Sequence, residues 1–348
     1  MLVLSGELTP VARLIQEQQN GDRPVLLGLA YTNPDRYLKL QSVVERQPSL
    51  VVLGTSRSMQ FRAAFFADPG EFYNAGGGVE TIRDFSGFLS RIPEGLEPAI
   101  MIIGLDQYFF NDKFDMQERP FDKPQQGAVW QSGVKGLAPD YMKGKFRLSD
   151  IFARQGQVKK IGLNALMNNN GFLNDGSYYY GSIMEDPTSS LDYQFQDTFK
   201  RIEAGNRRFQ YGKEISKEAL EELEKFLKLA KERNVYVIGF LPPYAHEVYE
   251  RMMAMEDKYT YILKLEGSLG PIFDAHGFGL YDFSDLATLG ATDKETIDGF
   301  HGSEKAYVRL LLLMAEDNGM LGQRVDSKYL GERLNSSAND YSVFEVTE

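Results

Sequence analysis

The chain has 348 residues, 43% of them hydrophobic and 25% charged, as expected for a folded globular protein of one large domain or two smaller ones. It has no cysteine, which excludes disulfides, thiolate catalysis and cysteine-ligated zinc. Its formal net charge of -11 argues against nucleic acid or an anionic membrane as the main partner, since both need a basic face.

Residues 1–45 read as a mixed lead-in with a short helix near Pro10 to Gln19. Its start, MLVLSGELTPVARL, lacks the basic region of a signal peptide. No apolar run in the chain reaches the ~18 residues that span a bilayer. From Ser49 a rhythm begins. SLVVLG is a short, valine-rich run and predicts a buried strand. SRSMQFRAAFF predicts a helix, EFYNAGGG a short strand, and VETIRDFSGFLSRI a helix with Ile82, Phe85, Phe88, Leu89 and Ile92 at helical spacing. AIMIIGLD predicts another buried strand. This βαβαβ order favours a parallel sheet with helices on both faces.

The rhythm lapses over an insertion, residues 113–212, rich in Gly, Asn and Tyr, with one helix expected from Leu148 to Met167. Long segments without regular structure are usually functional. The rhythm resumes with a helix capped by Ser216, the strand VYVIGFLPP, a helical stretch from His246, a short strand LYDFSD and a last helix from Ser303 to Met314. Residues 319–348 form a tail that is either docked or frayed. The fold expected is a three-layer α/β/α sandwich around a short parallel sheet of flavodoxin-like winding, with the domain over 46–318.

In open α/β sheets, ligands sit at the carboxyl ends of the strands. Those ends deliver Gly54-Thr55-Ser56, then Asn74-Ala75-Gly76-Gly77-Gly78, then Gly104-Leu105-Asp106-Gln107; the loop before the last helix adds Asp298-Gly299-Phe300-His301. Ser56 sits where a strand hands over to a helix, among unpaired backbone N–H groups. It is either a plain N-cap or a presented nucleophile. Asp298 and His301 are spaced so that one turn can supply a general base and its orienting carboxylate; alternatively, Asp298 caps the helix. His246 and His276 read as structural. Asp282, Asp285 and Asp293 lie in an acidic loop that reads as a solvated face rather than a cation site. No dinucleotide or P-loop fingerprint is present.

Taken in order, GTSRS, NAGGG, GLDQ and DGFH resemble the four blocks of the SGNH (GDSL-type) hydrolase and acyltransferase superfamily, over roughly residues 46–112 and 213–318. The resemblance implies Ser56 as nucleophile, His301 as base and Asp298 as orienter. It implies oxyanion N–H groups from Ser56 and from Gly76 or Gly77, and no cofactor. It implies an esterase or O-acyltransferase acting on a small-molecule or polysaccharide ester. The large-insert relatives work in envelope acylation, which implies an extracytoplasmic location and association with membrane-bound acylation machinery.

One block departs from the pattern. Asp106 stands where the family has an Asn that donates to the oxyanion, and an ionised carboxylate cannot donate. Either Asp106 is protonated, or Gln107 or Arg57 replaces the donor, or the hole is impaired. The last case motivates a second reading, a non-catalytic carbohydrate-binding or envelope-assembly protein. A third is an enzyme acting on small lipid esters, which needs an apolar groove.

Overall fold

The computed structural model describes all residues except 22, 118, 146, 148, 150, 152–155, 256 and 347–348. Nine strands form among the described residues: β1 (Val25–Leu27), β2 (Leu50–Gly54), β3 (Phe72–Gly76), β4 (Ile100–Gly104), β5 (Lys159–Ile161), β6 (Asn170–Phe172), β7 (Tyr178–Tyr180), β8 (Tyr236–Leu241) and β9 (Gly279–Asp282). The five strands expected from the aliphatic runs make one sheet in the order β3-β2-β4-β8-β9. Every neighbouring pair in it is parallel.

Side chains alternate between the two faces of a strand, and here both faces are covered. Val51, Leu53, Met101 and Ile103 pack with Phe85, Phe88, Leu223, Phe226 and Phe273 of the helices Arg83–Ser90, Lys217–Glu232 and Leu265–His276. Val52, Ile102 and Ile238 pack with Val308, Leu311 and Met314 of the helix Glu304–Asp317. That double burial is why β2 and β4 are unbroken aliphatic runs.

Three expectations are corrected. Residues 56–66 form two single-turn 3₁₀ segments, Ser56–Ser58 and Ala63–Phe65, instead of a helix. The amide of Asn74 donates to the carbonyls of Ser58 and Phe61, competing with an intrahelical ladder. The insertion holds a 17-residue helix, Gln126–Met142, that its glycines and Pro139 concealed. The single helix expected over 148–167 is interrupted: Ser149 and Ile151 are helical, β5 intervenes, and a second helix is Leu163–Asn168; 148, 150 and 152–155 lie outside the described residues.

The lead-in and the insertion also share a second sheet, β5-β1-β6-β7. Each of its strands has three residues, too short for periodicity to register.

The tail is docked. Leu330, Leu334, Val343 and Phe344 join the core on the Glu304–Asp317 side. The buried carboxylate of Glu304 accepts from the backbone N–H groups of Val343 and Phe344, both at 2.8 Å, and from Arg62 at 3.0 Å. Removing one partner from a buried ion pair leaves the other uncompensated. Glu304→Ala is therefore expected to cost about 3 kcal/mol in urea unfolding. A loss under about 1 kcal/mol would mean that apolar packing alone holds the tail.

Candidate active site

The site is assembled at the carboxyl ends of β2, β3 and β4. β2 stops on glycine because Ser58 folds back beneath the turn. A Cβ at Gly54 would lie 2.1 Å from the Ser58 hydroxyl oxygen, and so would one at Gly104 on the neighbouring strand. Two side-chain-free strand ends thus make room for the turn, and Ser56 is left at its outer edge, half-buried.

Ser56 Oγ lies 2.9 Å from His301 Nε2. The other ring nitrogen of His301, Nδ1, lies 2.9 and 3.0 Å from the two carboxylate oxygens of Asp298. With the ring proton on Nδ1, the imidazole donates to Asp298 and accepts from the serine hydroxyl. Asp298 Oδ1 also accepts from the backbone N–H groups of Phe300 (2.8 Å) and His301 (2.7 Å). One carboxylate therefore both closes the turn and holds the ring, as the three-residue spacing allows. Burial pushes the Asp298 carboxyl up, but charge interaction with His301 and these hydrogen bonds outweigh it and leave it below the ordinary aspartate value.

Beneath this row lies a buried polar cluster. The Arg57 guanidinium donates from Nη1 to Asp106 (2.9 Å) and Gln107 (2.7 Å), from Nη2 to the Pro242 carbonyl (2.8 Å), and from Nε to the Phe300 carbonyl (2.9 Å). It lies against the rings of Tyr244 and Phe300, 4.2 and 4.5 Å from their centroids. Thr55 donates its hydroxyl to the second oxygen of Asp106 at 2.6 Å. Gln107 donates to the Pro242 carbonyl and to Ser284. Burial lowers the Arg57 pKa, but Asp106, Tyr244 and Tyr307 together outweigh it, so the net direction is up.

Most of the expected oxyanion donors are already engaged. Asp106, Gln107 and Arg57 are buried, and their polar atoms are engaged with one another and with backbone carbonyls. The Gly76 N–H donates to Asn74 Oδ1 and the Gly77 N–H to the Gly54 carbonyl. Of the expected donors, the Ser56 N–H alone has no hydrogen-bond partner among the described residues.

Four residues given no role by the sequence also shape the site. Asn74 binds the β2 turn and the glycine block through one amide. Asp192, from the insertion, accepts from Gly299 N–H inside the histidine loop at 2.9 Å. Tyr180 on β7 places its ring 6.3 Å from the His301 ring. Tyr307 donates its hydroxyl to the Arg57 carbonyl. Only Asn74 had a sequence signal, its place before the glycines. His246 faces Asp285 at 2.9 Å, away from this cluster. The acidic loop serves backbone: Asp285 accepts from Ala287 N–H, and Asp293 from His246 and Glu247 N–H. No group of three or more metal-ligating side chains occurs among the described residues.

Comparison with known proteins finds no matching family model, curated protein or solved structure.

Two outcomes are expected. Asp106→Asn strips the buried Arg57 of its counter-charge and should cost about 3 kcal/mol in urea unfolding. Unchanged stability would remove the structural role of that pair. The Asp298 carboxyl is depressed in the folded state, so its contribution is present above about pH 4, the unfolded value, and is lost as pH falls through the folded value. The stability gap between wild type and Asp298→Asn should narrow from pH 7 to pH 3; a constant gap would contradict the depression.

Proposed function

We propose that this protein is a serine esterase or O-acyltransferase of SGNH-like fold, acting through Ser56, His301 and Asp298. The observation that carries the reading is the continuous hydrogen-bonded row from Ser56 Oγ through both ring nitrogens of His301 to Asp298. Its strand order, β3-β2-β4-β8-β9, agrees with flavodoxin-like winding.

In this mechanism Ser56 Oγ attacks the ester carbonyl carbon while His301 Nε2 takes the hydroxyl proton. Asp298 stabilises the imidazolium and keeps its orientation. The Ser56 N–H receives the developing oxyanion. Collapse breaks the bond to the alkoxide, which leaves with the proton from Nε2, and an acyl-serine remains. Water or an acceptor hydroxyl then attacks the acyl-serine, with His301 again as base. Hydrolysis and transfer differ only in that second nucleophile. A polysaccharide or other cell-envelope ester and an extracytoplasmic setting belong to the same proposal.

One observation favours the second reading, a non-catalytic carbohydrate-binding or envelope-assembly protein. The oxyanion position has a single free N–H among the expected donors, and losing one such donor elsewhere costs about 3 kcal/mol of barrier.

Labelling with a fluorophosphonate, read by peptide mass spectrometry, separates the two. Modification at Ser56 is expected, abolished in Ser56→Ala and reduced at least about a hundredfold in rate in His301→Ala. An unlabelled Ser56 in folded protein would overturn the acyl-serine mechanism and favour the binding-protein reading.

A further inference from the structure

The helix Gln126–Met142 has an inner and an outer apolar face. The inner face is fixed by Gly133: a Cβ there would lie 3.3 Å from methyl carbons of Leu2 and Leu8. Val129 and Leu137, at the same helical spacing, pack on this cluster. The outer face is where a surface helix puts its charges. This helix instead exposes Trp130, Val134 and Tyr141, a stripe at i, i+4 and i+11, and beside it Met142, the last helical residue, which is 78% exposed. Val3 and Leu4 follow Leu2 in the turn beside Gly133 and are also exposed, Val3 at 69%.

Charge around the stripe runs against that of the whole chain. Residues 121–147 carry Lys123, Lys135, Lys143, Lys145 and Arg147 against Asp122 and Asp140, a net +3 in a protein of net -11. All five cations are exposed. Asp140 pairs with Lys145 at 2.8 Å, which removes one charge of each sign and leaves the net at +3. The Debye length in physiological salt is about 8 Å, so acidic surface further away is largely screened and this local face governs contact.

We propose that this face docks on an anionic phospholipid bilayer. Tryptophan and tyrosine favour the depth where an apolar ring meets wet headgroups. Lysine and arginine place an apolar stem against the hydrocarbon boundary and the charge among anionic headgroups. No helix among the described residues is long and apolar enough to cross a membrane, and the docking proposed for this face is interfacial. The whole-chain charge that argued against a membrane partner is an average that hides this face. The inference is independent of the serine chemistry.

Trp130 is the only tryptophan, so its fluorescence reports this face alone. The full chain would be mixed with phosphatidylcholine vesicles containing 0 or 30% phosphatidylglycerol (about 150 mM salt, and again at about 500 mM). Co-sedimentation and a blue shift of Trp130 emission are expected with the anionic vesicles only, weakening at high salt. Each of Lys135→Glu and Lys143→Glu should weaken binding at least about fivefold. Val134→Ser/Tyr141→Ser should abolish the blue shift while circular dichroism stays unchanged. No binding and no shift would overturn the proposal, as would equal binding to neutral vesicles. A shift that grows with protein concentration without lipid would also overturn it and assign the face to a second copy of this chain.

Discussion

The arrangement of the site depends on one buried ion pair, Arg57 with Asp106. Arg57 follows the candidate nucleophile on the β2 turn, Asp106 lies just past the end of β4, and the same guanidinium holds carbonyls from just past β8 and from the histidine loop. Four segments distant in sequence are thus registered by one planar, five-donor group. A buried pair of this kind adds little net stability over an apolar substitute, yet losing either partner is costly. Its value lies in specificity of position. The Phe300 carbonyl that Arg57 grips belongs to the residue before His301, so the clamp fixes the imidazole relative to Ser56 from below.

That clamp accounts for the carboxylate at position 106. An Asn there could accept from Arg57 but would leave the guanidinium without a counter-charge. The carboxylate satisfies Arg57 and Thr55 together. What it cannot do is donate to an oxyanion, and the neighbouring glycine N–H groups are already committed to Asn74 and Gly54. The same hydrogen bonds that make the turn rigid also reduce the donors it presents.

The central sheet was legible because both of its faces are buried. Such strands are continuous aliphatic runs, and SLVVLG and AIMIIGLD show this plainly. The placement of Ser56 at a strand end and of Asp298 and His301 in one turn was legible from local chain geometry, while their grouping as nucleophile, orienter and base came from the resemblance. Residues 56–66 misled because apolar spacing suited a helix while Asn74, from another strand, claimed two of its carbonyls. The engagement of the Gly76 and Gly77 N–H groups had no sequence signal, since a glycine block reads the same whether its N–H groups are free or bonded. The helix Gln126–Met142 was hidden because glycine and proline argue against it, and tertiary packing on Leu2 and Leu8 overrides that preference.

The insertion and lead-in bear on the site more directly than their irregular composition suggested. Lys39, from the lead-in helix Asp35–Arg46, is fully buried and donates to the carbonyls of Asn74 and Gly176. It joins the glycine-bearing strand to the insertion's Asp175–Ser177 turn. Burial pulls its amine below the ordinary lysine value, with the Asp35 charge opposing that shift. Asp192 reaches the histidine loop from the other end of the insertion. The row of Ser56, His301 and Asp298 is therefore bracketed by two contacts from segments outside the parallel sheet, one under the glycine strand and one at Gly299. A core sheet with those segments removed would keep the strand ends but lose the hydrogen bonds that position β3 and the histidine turn, so the insertion is a structural part of the site.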